Sequence, residues 1–334
     1  MTHAGRAFPL LASLLTWSLA PFSVFAQAPA QGSRDGYPNK PMRMIVPNPA
    51  GGGVDILART IGQPLSEKLG QPVTVDNRPG AGGTIGTGLM ARSAPDGYTL
   101  GMVHEGTLAI APALYRSVPY DPIKDFSPIT LIAKLPLILA VHPSLPVKTV
   151  RDLIALARAR PGQIDYASGG NGTAPQLAAE VFKIMAKVKI NHVPFKGGPP
   201  ALIALVAGEV PVMFINMLPG LPYIKNRQLR PVAVTSERRS AILPDIPSIK
   251  ESGLRDYNVV QWYGIVVPSG TPAAIVARLN REIRQILDLT GVKVRLQGEG
   301  AELAGSTPEA FSAYIRSELA HWGKAVRDSG AKLD

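Results

Sequence analysis

The stretch that decides the fold is PMRMIVPNPAGGGVDILAR, residues 41–59. Its apolar beginning, 41–47, has the length and composition of a buried strand, and the prolines and glycines of 48–53 then predict a tight loop. From Val54 to Leu69 apolar residues recur at the spacing of a helix face. These residues are Ile56, Leu57, Ile61 and Leu65. A strand that runs through a glycine-rich loop into a helix is the building unit of an α/β fold.

The same unit recurs along the chain, and we predict a mostly parallel sheet from this alternation. Three loops share the design, in which a strand ends in glycines and small polar residues just before a helix: Ala50 to Asp55, Ser168 to Thr173 and Phe195 to Ala201. We also predict capping boxes at Thr149 with Asp152 and at Thr173 with Gln176. Pro64 lies inside the first helix, and its ring predicts a kink or a break there.

Each of these three loops has the chemistry of an anion site. Glycines allow a ligand to touch the backbone, and the unpaired amides at a helix N-terminus carry the positive end of the helix dipole. A carboxylate can therefore be held without Arg or Lys. For any single loop, the alternative is that its glycines only form a tight turn. Three such loops at the carboxyl ends of strands favour a shared cleft, because ligands of open α/β sheets bind there.

The beginning of the chain predicts a secretory signal peptide. Arg6 is followed by an uncharged stretch, 7–26, that ends in Val24-Phe25-Ala26, and its apolar part is shorter than the roughly 20 residues of a membrane anchor. Cleavage after Ala26 or Ala28 would leave a tether that extends to about Gly36. The sequence holds no cysteine, which excludes disulfides, thiol catalysis and cysteine-bound zinc. We therefore predict an exported, periplasmic protein.

The net charge of +11 requires an interpretation. Lys and Arg are spread along the chain without the basic stripe and interleaved aromatics that nucleic-acid binding requires, so no nucleic-acid partner is predicted. Two interpretations remain, namely steering of anionic ligands toward a cleft and ordinary solvated surface charge.

Enzymatic, nucleotide and metal sites are not supported by residue spacing. Ile85 stands where the dinucleotide fingerprint needs glycine, and no Lys-Ser/Thr pair follows a glycine-rich loop. A nucleophile elbow at Ser168 would need glycine in place of Tyr166. Leu108 stands where a zinc helix beginning at His104 needs its second histidine. We predict no catalytic residue, no metal and no cofactor, and we interpret His192 as a structural histidine.

The chain resembles the Bug-type receptors, which are the extracytoplasmic substrate-binding proteins of tripartite tricarboxylate transporters. The matching stretches are PAGGGVDILAR, LSEKLGQPVTVDNRPGAGGTIG, APDGYTL, APALYRSVPYDPIKDFSPI, HVPFKGGPPAL, LRPVAVTSERRSAILPDIPSIKESGL and WYGIVVPSGTP. The resemblance implies a periplasmic-binding-protein (Venus-flytrap) fold of two α/β domains joined by two crossover segments. It places the boundaries at 37–132 plus 258–334 for the first domain and 133–257 for the second.

The resemblance also implies how a ligand is held. Backbone amides from both domains, helped by bound water, would grip one carboxylate of an amino acid, a dicarboxylate or an aromatic carboxylate. By position, the contacting residues are Ala50, Gly51, Gly52, Gly53, Asp55, Ser168, Gly169, Asn171, Gly172, Thr173, Gly197 and Gly198. We expect Asp55 to brace its own loop as a helix N-terminal acid. The implied partners are the membrane subunits of a transporter, and the implied state is a monomer.

Three residues are candidates for ligand selectivity. His104 and Glu105 replace residues that are small or amide-bearing in the family. If Glu105 faces the cleft, its charge favours a ligand with an amine or ring nitrogen; the alternative is an exposed charge at the rim. Trp262 either stacks on a planar ligand or packs in the core.

Two other functions remain as alternatives to a transport receptor. One is a ligand sensor for a membrane signalling protein, and the other is an envelope hydrolase or transferase that uses the same anion site.

Overall fold

The computed structural model describes residues 1–2 and 36–329, so the predicted signal peptide and most of the tether lie outside the described residues. Within the described part of the chain, no helix combines the length and the apolar character that a membrane span needs. Residues from Tyr37 onward group into one compact unit, which is an α/β structure as the alternation of strands and helices predicts.

The first half of the sheet is built from the stretch that opened the sequence analysis. Strand β1 (Met42–Val46) lies between β2 (Val73–Asn77) and β3 (Thr99–His104), and all three run parallel. Helices α1 (Gly53–Leu69) and α2 (Thr84–Ala91) connect them. The carboxyl ends of β1 and β2 therefore deliver their following loops to the same edge of the sheet.

One long strand, β4 (Phe126–Val141), belongs to both halves of the sheet. Up to Pro136 it pairs antiparallel with β9 (Val260–Pro268), which also pairs with β3. From Leu137 onward it pairs with β7 (Val212–Asn216) and β8 (Arg230–Val234). The chain therefore passes from one half to the other inside a single strand, and no linker separates the halves at this point.

The second half repeats the parallel scheme, but every pairing of β4 and of β9 is antiparallel. The prediction of a mostly parallel sheet is therefore wrong for the middle of the sheet. Strand β5 (Asp165–Ser168) lies between β6 (Asn191–Pro194) and β7, parallel to both. Its helices are α4 (Val150–Ala159), α5 (Ala174–Ala186), α6 (Gly198–Val206) and α7 (Met217–Lys225). The remaining elements are a π-helical turn (Gly106–Ile110), α3 (Ala111–Leu114), α8 (Ala273–Asp288), α9 (Thr290–Gly298), β10 (Glu302–Leu303) and α10 (Pro308–Ser329). The sheet order is β2-β1-β3-β9-β4-β7-β5-β6.

The apolar core is continuous between the two halves. The largest cluster of buried side chains includes Met44 of β1 and Leu57 of α1 together with Met213 of β7 and Leu205 of α6. Burial of such side chains contributes about 25 cal/mol per Å² of apolar surface, so this shared cluster stabilises both halves together. The domain boundaries expected at 132/133 and 257/258 remain a prediction.

Two local expectations have different outcomes. The capping box at the start of α4 is confirmed, because Thr149 Oγ1 accepts from the Asp152 amide and the Asp152 carboxylate accepts from the Thr149 amide. Of the kink or break predicted at Pro64, the break is wrong, because α1 continues through the proline to Leu69. Ile61 and Leu65 on either side of the proline are fully buried. Their packing holds the helix together where one backbone hydrogen bond is missing.

Candidate functional site

A cavity of about 500 Å³ lies where the glycine-rich loops meet at the carboxyl ends of the strands. Its walls come from the loops after β1, β2, β5 and β6. The lining residues are Pro47, Asn48, Pro49, Pro79, Gly80, Ala81, Gly82, Gly83, Tyr115, Gly169, Gly170, Asn171, Thr173, Phe195, Lys196 and Gly197. Two of the three loops singled out in the sequence line this cavity, the loop after β1 reaches it through residues upstream of Ala50, and a fourth loop joins them.

The loops touch one another at glycines. A Cβ atom built on Gly197 would lie 2.5 Å from Pro49 Cγ, and one built on Gly169 would lie 2.9 Å from the Gly198 amide nitrogen. Any side chain at these two positions would collide, so glycine is needed for the loops to approach this closely. The loops after β1, β5 and β6 therefore converge, as their shared design predicts.

The fourth loop, 79–83 after β2, was missed as part of the site. A Cβ on Gly82 would lie 2.9 Å from the Asn171 carbonyl oxygen, and the Tyr115 hydroxyl donates to the same oxygen at 3.3 Å. The run PGAGG carried the needed signal, because it follows a strand and precedes α2 as the other three loops do. Tyr115 carried no sequence signal, because its position depends on how the turn at 106–114 folds back.

The predicted residues of the first loop lie beside the cavity instead of lining it. Ala50 and Gly51 are exposed, whereas Gly52 and Gly53 are buried at the start of α1. A Cβ on Gly53 would lie 3.0 Å from the hydroxyl of Tyr263. The lining residues from this loop are Pro47, Asn48 and Pro49, so the cavity wall lies upstream of the residues that the family resemblance implied.

Asp55 braces the first loop, as expected. Its carboxylate accepts from the Gly51 amide at 2.9 Å, from Asn77 at 3.0 Å and from Arg59 at 3.0 Å. Burial by itself would raise the pKa of Asp55, but the hydrogen bonds from Arg59, Gly51 and Asn77 outweigh burial and lower it. Both carboxylate oxygens are occupied within the protein, so a direct ligand contact by this side chain would require breaking these bonds.

The second loop is also held by side chains. The fully buried Ser168 exchanges hydrogen bonds with both the amide and the carbonyl of Gly170 at 3.1 Å. Its oxygen also lies 2.6 Å from His192 Nε2, and the His192 ring stacks on Tyr166. These contacts give His192 a structural role in the loop. The Thr173 hydroxyl donates to the Gly170 carbonyl at 2.7 Å.

The predicted capping box at Thr173 and Gln176 has a different form. Thr173 is the N-cap of α5 but accepts no capping hydrogen bond with its side chain. Gln176 Oε1 accepts instead from the Gly172 amide at 2.7 Å, one residue before the expected donor. The Thr173 hydroxyl is occupied with Gly170, which leaves the glutamine to satisfy the preceding amide.

Five glycine amides of the three predicted loops are engaged within the protein, and one of them is Gly52, which donates to the Pro49 carbonyl at 3.4 Å. Gly51 donates to Asp55, Gly172 to Gln176 and Gly197 to the Gly169 carbonyl; Gly170 donates to Ser168. A ligand could use these amides only by displacing the present acceptors. The partners of Gly51, Gly170 and Gly172 are side chains within four residues of each glycine, and only the Gly169 carbonyl is distant in sequence from its donor.

Glu105 does not face the cavity and is not exposed. It is fully buried beneath β9, where its carboxyl accepts from the Trp262 amide at 2.9 Å and from Gln261 at 3.3 Å. Burial raises the pKa of Glu105 to about 8. Both the cleft and the rim positions considered for this residue are therefore wrong, because the turn after β3 directs it inward.

Trp262 packs in the core and is absent from the cavity lining. Its ring is fully buried edge-on against Phe311 and Tyr314, and Nε1 donates to Glu318 at 2.9 Å. Stacking on a planar ligand, one of the two roles considered for Trp262, does not fit this position. In contrast, the neighbouring His104 reaches the site, because its Nε2 lies 3.0 Å from Oδ1 of the lining residue Asn48.

The charge pattern of the cavity is simple. Lys196 is the single charged side chain among the described residues that line it, and this side chain is exposed. Prolines, Phe195 and Tyr115 supply apolar surface beside the polar loops.

Below the loops, Asn216 Oδ1 is buried without a hydrogen-bond partner among the described residues. It is therefore an acceptor available to water or a ligand. The described residues contain no cluster of three or more metal-ligand side chains.

Comparison with known proteins agrees with this architecture. Residues 57–331 match the model of the tripartite tricarboxylate transporter family receptor, TctC. Protein BugT of Bordetella pertussis is 36% identical over 323 residues, covering 96% of this chain and 99% of the relative. Among solved structures, R. palustris Rpa4515 with adipate has 36% identity and a TM-score of 0.87, covering 89% of this chain and all of that one.

The structure of the periplasmic binding protein BugD has 31% identity and a TM-score of 0.86, covering 89% of this chain and 100% of that chain. The predicted fold class, a periplasmic-binding-protein fold of the α/β type, is confirmed by this match. The family match spans most of the sequence and includes both halves of the sheet. The chain belongs to the Bug and TctC family of tripartite tricarboxylate transporter receptors.

Proposed function

We propose that this chain is a periplasmic solute-binding receptor that takes up a small carboxylate in the cavity between the four loops. It is exported through its signal peptide, acts as a monomer and delivers the ligand to the membrane subunits of a tripartite tricarboxylate-type transporter. It performs no chemistry on the ligand. Family membership supports the receptor role, and the structure of Rpa4515 with adipate supports a carboxylate as the ligand.

The observation that carries this proposal is the cavity itself. It lies at the N-terminal ends of α2, α5 and α6 and beside that of α1, where the helix dipoles favour an anion. No acidic side chain lies among the described residues that line it, and Lys196 adds a positive charge. A volume of about 500 Å³ is within the range of small-ligand sites, roughly 300–1,000 Å³.

The proposed grip on the carboxylate relies on amides that the loops do not use themselves. We assign the first-loop contact to Gly53 and the opposing contacts to Gly169, Asn171, Thr173 and Gly198. The Gly52 amide could join them only by leaving the Pro49 carbonyl, to which it donates at 3.4 Å. Ala50 and Ser168 complete the two loops that carry these contacts, while Gly51, Asp55, Gly172 and Gly197 hold the loops in shape. Hydrogen bonds from amides to a carboxylate are charge-assisted and are about twice as strong as neutral ones.

The test is to identify the ligand. Mass spectrometry of small molecules released from the denatured protein, followed by titration calorimetry with a panel of carboxylates, should reveal a carboxylate that binds. At 100 times its Kd, this compound should stabilise the protein by about 2.7 kcal/mol. If no carboxylate from the panel or from the released fraction raises the unfolding temperature, the proposal is wrong.

Catalysis and transport are tested separately. The Ser168–His192 pair is the arrangement closest to a nucleophile and base, but Ser168 is fully buried and already bonded to Gly170. Prolonged incubation with the bound carboxylate should therefore yield no product.

Transport is tested in cells. Uptake of the same carboxylate should fall in cells that lack the receptor and return when it is restored. Normal uptake without the receptor would contradict the transport role.

A further inference from the structure

A buried histidine, His104, determines which way the side chain of Asn48 points. The Gly106 amide lies 3.1 Å from His104 Nδ1 and donates to it. Because a backbone N–H can only donate, Nδ1 must be the unprotonated nitrogen of the ring. The proton of the neutral ring is therefore on Nε2, which lies 3.0 Å from Asn48 Oδ1. Burial lowers the pKa of His104 to about 4, so the ring is neutral at pH 7.

This tautomer fixes the orientation of the Asn48 amide. Nε2–H donates to Oδ1, whereas the flipped amide would place two donors against each other. The Nδ2 group of Asn48 must then point away from His104. Asn48 lines the cavity, and its Nδ2 has no hydrogen-bond partner in the part of the chain that the structure describes. A neutral hydrogen-bond donor is thereby left unused on a residue that lines the cavity.

The surroundings hold both residues in place. A Cβ atom on Gly106 would lie 2.9 Å from His104 Nδ1, so the ring occupies space that any side chain at 106 would fill. The Asn48 carbonyl accepts from Asn77 Nδ2 at 3.0 Å, and the same nitrogen donates to Asp55. The backbone of Asn48 and the ring of His104 are thus each fixed by a separate contact.

We propose that Asn48 is a specificity-determining residue of the site and that His104 is its positioning residue. Two successive hydrogen bonds, from the Gly106 amide to His104 and from His104 to Asn48, direct the side-chain N–H of Asn48 toward the ligand. This inference rests on the proposed function, because the ligand of the same cavity is the group that Asn48 contacts.

The direction of the donor restricts the chemistry of the ligand. The ligand atom next to Asn48 must be a hydrogen-bond acceptor, such as an ionised carboxylate or a carbonyl oxygen, and an ammonium group there would face another donor. Glu105 gives an amine no compensation, because it lies beneath β9 and away from the cavity. The site is therefore built for an acceptor-rich anion with no ammonium group at this end.

The orientation can be measured without any ligand. Nitrogen-detected NMR of the ring, assigned to His104 by its absence from a His104→Gln variant, should show a neutral Nε2–H tautomer at pH 7. An Nδ1–H tautomer would overturn the inference, because Nε2 would then be an acceptor that holds the Nδ2 donor of Asn48 and turns Oδ1 away from His104.

The role in binding is tested by calorimetry with adipate, malate, benzoate and glutamate as probes. Asn48→Asp keeps the acceptor for His104 but replaces the donor by a negative oxygen, and we expect at least a hundredfold loss of affinity for the tightest probe. His104→Phe should cost about tenfold in the native background and less than twofold beside Asn48→Ala. His104→Gln, which can still donate to Asn48, should restore most of the affinity.

Each result separates the two proposals. An Asn48→Asp variant within tenfold of the native affinity, or an equal cost of His104→Phe in both backgrounds, overturns the positioning role while leaving the receptor function intact. If His104→Phe does not fold, His104→Gln and Asn48→Asp carry the comparison. If none of the four probes binds, the carboxylate recovered from the denatured protein replaces them in the same comparison, and the tautomer measurement decides independently how Asn48 is oriented.

Discussion

At the scale of single residues, the cavity depends on its loops more than on its one charged side chain. Lys196 is exposed and lies next to Gly197 on the rim. Its long apolar stem lets the ammonium group reach water, where its attraction for a ligand is screened. We expect Lys196→Ala to weaken carboxylate binding by less than tenfold, measured by titration calorimetry. A loss of a hundredfold or more would contradict a grip supplied mainly by amides and helix dipoles.

Glu105 gives a prediction about pH. Burial raises its pKa to about 8 from 4.5, so the folded protein holds this proton more tightly than the unfolded chain. The stabilising contribution is full below pH 4.5 and is lost as the pH rises through 8. Between pH 7 and 9 we expect the free energy of unfolding in urea to fall by about 1 kcal/mol from this group.

The matched control is Glu105→Gln, which keeps the shape of the side chain and the acceptor for the Trp262 amide without a titrating group. Its free energy of unfolding should change less over the same range. His104 does not disturb this comparison, because its pKa is lowered to about 4 by burial and it is neutral throughout. Equal slopes for the variant and the native protein would show that Glu105 is not the titrating group.

At the scale of elements, the loops that begin α1 and α5 differ in how well they tolerate side chains. Gly52, at the start of α1, has an ordinary φ of −78°, and a Cβ there meets only the Pro49 carbonyl oxygen at 3.4 Å. Gly170, before α5, has a φ of +111°, which L-residues rarely adopt. The same substitution should therefore have different consequences in the two loops.

We expect Gly52→Val to change the free energy of unfolding by about 1 kcal/mol or less and to reduce carboxylate affinity at least tenfold. Gly170→Val should destabilise the fold by about 1–3 kcal/mol through backbone strain. Thermal unfolding and calorimetry on both variants provide the check, with Thr149→Ala as a control that loses a helix cap far from the cavity. Unchanged affinity of a folded Gly52→Val would remove the first loop from the site.

At the scale of the whole molecule, β4 and β9 are the connections that any closing motion must bend. The partners of β4 change between Pro136 and Leu137, and β9 begins at Val260. If the two domains predicted at 37–132 plus 258–334 and at 133–257 move as units, a saturating carboxylate should reduce the radius of gyration measured by X-ray scattering. Gly52→Val at the same carboxylate concentration is the control. No difference between the free and the saturated protein would contradict a hinged clamp.

The sequence by itself determined the strand–loop–helix units and the α/β class of the fold, because both follow from local patterns. Three local signals agree with one another: the apolar run of β1, the glycine loop after it and the helical spacing of α1. A sequence specifies a fold when its local preferences agree with the global structure in this way. The same logic located three of the four loops that meet at the cavity. Family motifs then supplied the receptor identity.

Only the tertiary structure decided which atoms face the cavity. Asp55 and Gln176, each four residues from the glycine whose amide it accepts from, occupy donors that the glycine pattern by itself offered to a ligand. Glu105 and Trp262 turn inward because β3 and β9 pair, a contact between residues more than 150 apart in sequence. Hydrogen bonds are directional and short-ranged, so their partners depend on the packed positions of elements, which local periodicity does not encode.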